Sequence, residues 1–392
     1  IRITLKVEKQ FIKEKMMPKI VASLCDGMSC GHLALDKLGH TDIEYHAFEI
    51  DKYADAVSRC AYPKIIRHGD ARNWTNLIGK DVYLLMGGFP CQPYSVATGG
   101  KGKADKDKRD LSNLIFDALR GLKPKYFLFE NVPMKKDQEL RITMGISEAL
   151  GTQDFCEPIM INSADFSAHN RKRLYWTNIP IKDWDDKGIV LKDIIEDANA
   201  NYFKGGSMKM YYGKSKRQLM CHQVGEADIR GYDIIKRVYA ISGKSPALTT
   251  MQGGHREPKI NTDELRWRAL SPKECERLQT VPDGYTEYGV FKDKDYDPVL
   301  HEFCQRKPIS NSQRYKMLGN GWTVDVIAHI MKGMEMKYHI RVRLDMSETL
   351  EIDADNYEEA EDLAVDQFLE NIAPTISRSA LDIEEVKGEQ ND

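Results

Sequence analysis

The sequence of 392 residues lacks several features that mark specialised classes of protein. No apolar run approaches the ~20 residues of a membrane-spanning helix, and no signal-peptide pattern opens the chain. Its 8 cysteines are scattered without CxxC pairs or regular spacing, which argues against a zinc cage or a disulfide framework and fits a reducing compartment. We therefore expect a soluble, cytoplasmic protein without a metal site.

The sequence also lacks an excess of charge of either sign. A formal net charge of -3 gives no overall attraction to nucleic acid, so such binding would have to use local basic patches. Two are visible, at residues 101–109 and 171–173. With 41% hydrophobic and 30% charged residues the chain can bury a large core, as one large domain plus a smaller one or as two to three modest ones.

The stretch MGGFPCQPYS, residues 86–95, has the clearest chemical character. Pro90 and Pro93 fix φ on either side of Cys91, and the two glycines before them allow a sharp turn or the close approach of a ligand. A free cysteine is usually a small buried hydrophobe, but such cysteines sit inside periodic apolar runs rather than between prolines ahead of a lysine-rich loop. The spacing favours a reactive thiol over a packing role.

Carboxylates follow three successive predicted strands near the start of the chain. They are Asp26 after residues 19–25, Glu49 after residues 43–48, and Asp70 after a short strand around residues 65–66. Any one of them alone would be an ordinary solvated side chain. Because parallel strands end at the same edge of a sheet, the recurrence predicts a crevice there, where a carboxylate can accept hydrogen bonds from a ribose diol. The DGxxxG turn after the first strand lacks the spacing of the dinucleotide fingerprint.

The alternation of strands and helices continues to about residue 180. Further strands are predicted at residues 82–86, 126–129 and 155–162, and helices at residues 32–38, 111–122 and 135–150. This order predicts an α/β fold with a mostly parallel sheet and helices on both faces. A Gly-Asn-Gly turn at residues 319–321 leads into a last helix of this region, near residues 324–336.

Arg171 and Arg173 alternate along a further predicted strand, so both should face the same side. Arginine pairs on one strand face often bind phosphate or carboxylate. The alternative is an edge strand that charge protects from aggregation. Spacing alone leaves both interpretations open.

We divide the chain into four parts. Residues 1–17 are an N-terminal extension or a minor added strand without assigned function. The α/β domain comprises residues 18–180 and is completed by residues 312–336. Residues 181–311 form a small lobe and its return to the α/β domain, and residues 337–392 form an accessory module. The lobe interleaves basic and aromatic residues, a composition suited to nucleic acid but not diagnostic of it. In the module, two alternating strands at residues 339–346 and 349–355 precede an acidic amphipathic helix, which gives a ββα order.

Five ordered motifs resemble those of the cytosine-C5 DNA methyltransferases. They are GGFPCQPYS at 87–95, ENV at 130–132, NRKRLYW at 170–176, RALSPKECERLQ at 268–279 and LGNGWTV at 318–324. The likeness covers roughly residues 18–336, and the opening SLCDGMSCG is similar to the de novo-type branch and its phage relatives. The resemblance implies a Rossmann-like, S-adenosylmethionine-dependent methyltransferase fold with a small target-recognition lobe.

The resemblance also implies the reaction. A methyl group would pass from S-adenosylmethionine to C5 of a cytosine flipped out of duplex DNA, through a covalent adduct between Cys91 and C6. Glu130 would hold N3 and N4 of the ring. Arg171 would bind the base O2 or the flanking phosphate, with Arg173 behind it.

The remaining implied contacts are with cofactor and DNA. The cofactor contacts are Cys25, Asp26, Gly27, Met28, Glu49, Ile50, Asp70, Ala71, Gly88, Pro90, Asn320, Gly321 and Trp322. The DNA contacts are Gln92, Tyr94, Ser95, Lys101, Lys103 and Arg109, in a loop that would close on the flipped base. The resemblance implies no metal, and a bacterial or phage protein that acts on double-stranded DNA in the cytoplasm, with a cognate restriction endonuclease as a conceivable partner.

Three features depart from the family pattern. Cys25 stands where the family usually carries phenylalanine, which alters packing on the adenine side of the pocket, and His169 stands where many members have glutamine. The lobe is short for a specificity domain, which predicts a target site of a few base pairs. Two alternatives stay open: a tRNA substrate, and a catalytically silent DNA-binding regulator, whose usual signature would be the loss of Cys91 or Glu130.

Overall fold

The computed structural model describes residues 2–5, 18–88, 111–153, 155–196, 205–211, 220–251, 253–263, 265–291, 306–334 and 346–349, the first and last of these ranges as backbone only. The chain divides into two compact units, one of Pro18–Glu335 and one of Ile1–Met17 with Met336–Asp392. Within the described ranges no helix is long and apolar enough to cross a membrane.

Strands and helices alternate along the larger unit, Pro18–Glu335, and the first and last strands below belong to the smaller unit. The strands are β1 Arg2–Leu5, β2 Lys19–Leu24, β3 Ile43–Phe48, β4 Ile66–Arg67, β5 Val82–Gly88, β6 Tyr126–Asn131, β7 Ile159–Asn162, β8 His169–Asn170, β9 Lys172–Thr177, β10 Gly205–Met210, β11 Gln223–Ala227, β12 Arg237–Tyr239, β13 Ser245–Pro246, β14 Lys259–Asn261, β15 Arg266–Ala269, β16 Tyr288–Val290, β17 Arg306–Pro308 and β18 Met346–Thr349. The helices are α1 Cys30–Lys37, α2 Lys52–Ala61, α3 Ser112–Leu122, α4 Lys136–Leu150, α5 Asp233–Lys236, α6 Pro272–Leu278, α7 Asn311–Asn320 and α8 Val324–Met331.

The central sheet has seven strands in the order β4-β3-β2-β5-β6-β9-β7. Neighbours from β4 to β6 are parallel, whereas β9 runs antiparallel to both β6 and β7. The sheet is therefore mostly parallel, which confirms the prediction from sequence.

Two apolar layers cover the two faces of this sheet. On β6, Tyr126 and Leu128 join the layer that includes α1 and α8, while Phe127 and Phe129 join the layer that includes α3 and α4. Successive side chains of a strand point to opposite faces, so a strand buried on both faces must be apolar throughout. Helices thus lie on both faces, as predicted, and α8 brings the far end of the larger unit back to the first helix.

A small closed barrel lies within the predicted lobe. Its five strands follow the order β10-β11-β12-β14-β15. Its own core consists of Met208, Ala227, Val238, Trp267 and Ala269. The chain leaves β12 for the sheet domain, where β13 pairs with β8, and then returns to the barrel through β14 and β15.

A buried ion pair fixes the exit from the barrel. Two nitrogens of Arg268, at the end region of β15, donate to the carboxylate of Glu274 in α6 at 2.8 and 2.7 Å. The Glu274 carboxylate also accepts the N–H of Ser271, whose hydroxyl in turn caps α6. A buried ion pair is stable only when its remaining hydrogen-bonding capacity is met in this way. The helix α6 therefore starts at Pro272, directly after its capping residue Ser271.

In the smaller unit β1 pairs antiparallel with β18, Arg2 opposite Thr349 and Leu5 opposite Met346. Residues 2–5 are thus an added strand, one of the two interpretations of that segment. Ser347 and Glu348, which the sequence pattern placed between two strands, lie inside β18. The remainder of the predicted ββα module lies outside the described residues.

Candidate active site

Five parallel strands end at one edge of the sheet, and the predicted site residues follow these ends. In the spatial order β4, β3, β2, β5 and β6 they are Asp70, Glu49, Asp26 with Gly27, Gly88, and Glu130. Gly88 and Glu130 face each other in register. The topology therefore brings the predicted cofactor contacts and a predicted catalytic residue into one row, as expected for a crevice at the carboxyl edge.

The Glu49 carboxylate is fixed at the turn after β2. Its Oε2 accepts the N–H of Gly27 at 2.7 Å, and its Oε1 accepts the N–H groups of Ile50 and Asp51 at 2.8 and 2.6 Å. Burial raises the pKa of Glu49, and these three backbone donors oppose that shift. Each carboxylate oxygen has two lone pairs, so Oε2 can still accept one hydrogen bond from a diol.

The Asp26 carboxylate stabilises the same turn through hydrogen bonds from two side-chain hydroxyls. Its two carboxylate oxygens accept the hydroxyls of Ser29 and Tyr45, each at 2.6 Å. Burial raises the pKa of Asp26, while both hydroxyls act in the opposite direction. Ser29 takes left-handed φ and ψ of 64° and 39° directly before α1. Asp26 thus holds a turn whose next side chain, Met28, is buried.

The part of the pocket that is predicted to hold the adenine combines carboxylates with an exposed apolar side chain. Cys25 has a raised thiol pKa of about 12 because of burial and then of the neighbouring carboxylates of Glu49, Asp70 and Asp26. Ile50 is 77% exposed directly after Glu49. An exposed apolar side chain beside a fixed carboxylate suits a nucleoside, whose base packs on apolar groups and whose hydroxyls donate.

Asp70 and Ala71 follow β4 on the same side. The Asp70 carboxylate accepts the N–H of Arg72 at 2.9 Å and its guanidinium at 2.7 Å. Ala71 is buried beneath this turn. Both residues therefore lie where the sequence predicted, at the outer end of the row.

The loop between α7 and α8 closes on this edge. A Cβ added at Gly88 would lie 3.0 Å from Nε1 of Trp322 and 3.3 Å from Oε2 of Glu130, so only glycine fits there without displacing them. A Cβ at Gly321 would lie 3.0 Å from Cε of Met28. The structure thus brings residues from both ends of the larger unit together, while the side chain of Asn320 is exposed at the end of α7.

Glu130 is oriented by an arginine on the neighbouring strand. Its Oε1 lies 2.7 Å from Nε of Arg173, and the two side chains are 10% and 13% exposed. The other carboxylate oxygen, Oε2, lies beside Gly88. The pair therefore presents one carboxylate oxygen at the point where β5 ends.

Arg171 lies one residue before β9, and its guanidinium is directed towards the loop between α7 and α8 rather than towards Glu130. Its guanidinium donates to the carbonyls of Gly321 at 3.0 Å, Gly319 at 3.1 Å and Leu248 at 3.4 Å. Only 3% of the residue is exposed. The sequence expectation put Arg171 at the base with Arg173 behind it; in the structure it is Arg173 that adjoins Glu130.

Residues not predicted from sequence complete this buried network. Gln279 donates to the carbonyls of Leu318 at 2.6 Å and Gly321 at 2.9 Å, and accepts the hydroxyl of Thr323 at 2.7 Å. Gln279 is the last residue of the RALSPKECERLQ motif and Thr323 belongs to LGNGWTV. Membership of these motifs is the sequence feature that points to both residues.

His169 supplies support at the position that departs from the family pattern. Its Nε2 accepts the N–H of Leu248 at 2.9 Å. Burial, followed by the charges of Arg171 and Arg173, holds its pKa well below the usual range. A neutral histidine therefore acts as a fixed acceptor here.

Several predicted residues lie outside the described part of the chain. They are Pro90, Cys91, Gln92, Tyr94, Ser95, Lys101, Lys103 and Arg109. Within the residues that are described, no group of three or more His, Cys, Asp and Glu side chains could hold a metal ion.

Comparisons with known proteins show the family of this chain. A family model described as C-5 cytosine-specific DNA methylase matches residues 20–336. The Orphan methyltransferase M.SPBetaI of Bacillus phage SPbeta is 27% identical over 444 aligned positions, which cover 81% of this chain and 98% of the relative. The Type II methyltransferase M.NlaX of Neisseria lactamica is 27% identical, with 73% and 87% covered.

A solved structure shares the fold. The Dnmt2 methyltransferase of S. pombe aligns with a TM-score of 0.52 at 14% identity, over 80% of this chain and 98% of that one. The family model spans most of the chain, and its range coincides with the larger unit. The chain therefore belongs to the C-5 cytosine-specific DNA methylase family and is a DNA cytosine-C5 methyltransferase.

Proposed function

We propose that this enzyme methylates C5 of a cytosine flipped out of duplex DNA, with S-adenosylmethionine as the methyl donor and Cys91 as the nucleophile. The observation that carries the proposal is the meeting of Gly88, Glu130 and Trp322 at the ends of β5 and β6. Cys91 follows Gly88 by three residues in sequence. A fixed carboxylate thus lies beside Gly88, the last described residue before the segment that carries Cys91.

The residues at the sheet edge fit S-adenosylmethionine. Bound there, the cofactor would supply a methyl group on a positively charged sulfonium. Glu49 would accept a hydrogen bond from the ribose diol, Asp70 one from the adenine amine, and Ile50 would pack on the adenine ring. The turn after β2 would hold the methionine end, and Trp322 would close the pocket.

The chain's own residues would make C5 of cytosine nucleophilic. Addition of the Cys91 thiolate to C6 breaks the C5=C6 double bond and leaves an electron-rich enamine at C5. Glu130 would share its proton with N3, which makes C6 electrophilic during the addition. Transfer of the methyl group to C5 would leave a neutral thioether in the cofactor. Loss of the C5 proton to a base, return of the N3 proton to Glu130 and departure of the Cys91 thiolate from C6 would then restore the ring.

The two arginines would have separate roles. Arg173 adjoins the Glu130 carboxylate and would contact the base, whereas Arg171 is a positioning residue that ties Leu248 to the loop carrying Trp322. The guanidinium of Arg171 donates to three buried carbonyl oxygens, and each buried acceptor needs a donor. Its role is therefore structural.

We predict that Arg171→Ala and Arg173→Ala impair the enzyme differently. Loss of Arg171 removes a donor from buried carbonyls, so the free energy of unfolding should fall by about 3 kcal/mol. Loss of Arg173 should lower kcat by about 100-fold, because Glu130 is no longer oriented, and should reduce the free energy of unfolding less than loss of Arg171, which donates to three buried carbonyls. Thermal melts and methylation rates measured side by side test this. Equal losses of stability in the two variants would contradict the assignment.

The substrate is tested by offering duplex DNA and tRNA side by side with labelled S-adenosylmethionine. We expect transfer to duplex DNA at least 100-fold above transfer to tRNA. Bisulfite sequencing of DNA from cells that express the protein would give the target site. Transfer to tRNA alone would mean that tRNA, and not duplex DNA, is the substrate. Transfer to neither would favour a catalytically silent regulator. The matched relatives come from a phage and a bacterium, which supports bacterial or phage DNA as the cytoplasmic target.

A further inference from the structure

A salt bridge joins two helices at the sheet edge where the cofactor is proposed to bind. Nζ of Lys316, on α7, lies 2.6 Å from Oδ2 of Asp51, the residue directly before α2. The two residues are 265 positions apart in the sequence. Each side chain is 29% exposed, so the pair is partly shielded from water. A contact between segments so far apart in sequence fixes the distance between α7 and the start of α2.

Asp51 is tied to the Glu49 side of the proposed pocket. Its Oδ1 caps α2 by accepting the N–H groups of Tyr53 at 2.9 Å and Ala54 at 3.3 Å. Its own N–H donates to Oε1 of Glu49 at 2.6 Å. A shift of Asp51 would therefore move a donor that orients the Glu49 carboxylate.

Lys316 is tied to the opposite side of the same pocket. It lies four residues before Asn320 on α7, so the two residues share one face of this helix. Asn320 opens the segment 320–322, which is predicted to contact the cofactor. Tyr315, beside Lys316, donates its hydroxyl to the carbonyl of Leu270 at 2.7 Å and anchors α7 to the segment after β15. Lys316 thus connects an anchored helix with the start of α2.

We propose that the Lys316–Asp51 pair is a positioning clamp that sets the width of the S-adenosylmethionine pocket. The inference rests on the proposed function, because it assigns a role at that same site. With the pair intact, Glu49 and Trp322 meet the cofactor from two walls whose spacing is fixed before binding. A preformed pocket loses less conformational entropy when the ligand enters. Lys316 and Asp51 act through Glu49 and the segment 320–322, and neither needs to touch the cofactor.

The test titrates the full chain with S-adenosylmethionine and, separately, with S-adenosylhomocysteine in a calorimeter. Lys316→Met and Asp51→Asn each remove the ion pair, while asparagine keeps the cap of α2. We expect each variant to bind both compounds about 5-fold more weakly, as suits a partly exposed pair, with kcat at saturating cofactor within about 2-fold. Lys316→Arg keeps the charge and should restore binding to within about 2-fold. The double variant should bind no more weakly than either single variant, because the same contact is lost in all three.

The matched control is Lys273→Met, which removes a comparable ion pair with Glu196 at 2.9 Å. It should bind the cofactor normally and lower the melting temperature about as much as Lys316→Met does. Equal weakening of binding in the control would indicate a general effect of stability and overturn the inference. Unchanged binding in both single variants, or losses that multiply to about 25-fold in the double variant, would overturn it too, while the proposed function stood. If the unaltered protein bound no S-adenosylmethionine, the proposed function would fail and the inference with it.

Discussion

Replacing Cys91 by serine is expected to lower methyl transfer to duplex DNA by at least about 1,000-fold. The nucleophile must be an anion, and a thiol ionises near neutral pH whereas a serine hydroxyl does not. The variant should keep its affinity for DNA and for S-adenosylmethionine. Single-turnover transfer of a labelled methyl group, beside a gel-shift titration, measures both.

A modified substrate makes this prediction sharper. If the target cytosine carries fluorine at C5, no proton can leave that carbon after methylation, so the Cys91 adduct should persist. The unaltered protein should then run on a denaturing gel as a covalent complex with the duplex, and Cys91→Ser should not. Cys60→Ser, on α2, is a matched control that should be trapped normally. Sustained turnover by Cys91→Ser would rule out the covalent mechanism.

Replacing Glu130 by glutamine is expected to lower kcat by about 100- to 10,000-fold. The amide keeps the size of the side chain but cannot release a proton to N3, and it leaves Arg173 without its carboxylate. Because the Glu130 carboxylate pairs with Arg173 on β9, whereas the predicted ribose and methionine contacts follow β3 and β2, binding of S-adenosylmethionine should change little.

Steady-state rates at saturating DNA and cofactor measure the loss, and calorimetric titration with the cofactor measures binding. Glu148→Gln, an exposed residue of α4, is the matched control and should retain full activity. An unchanged kcat in Glu130→Gln would remove this residue from the chemistry and leave only a structural role with Arg173.

Local patterns in the sequence determined the strands of the catalytic sheet and their carboxyl-terminal residues. Alternating apolar residues, turn glycines and helix caps act over a few neighbours, so Asp26, Glu49 and Asp70 could be placed at strand ends, and the parallel order put them on one edge. The composition of the lobe suggested its boundaries but not its closed barrel. Closure depends on pairs such as Gly206 with Trp267, whose partners are far apart in sequence.

Only the tertiary structure decided which arginine adjoins Glu130. Two residues that alternate along a strand have the same local description, so periodicity could not separate Arg171 from Arg173. The separation comes from Leu248, Gly319 and Gly321, whose carbonyls gather around Arg171 after the chain has folded. The same long-range packing sets Trp322 against Gly88. The sequence by itself thus predicted candidate residues for the site, and packing between distant segments decided what each described one contacts.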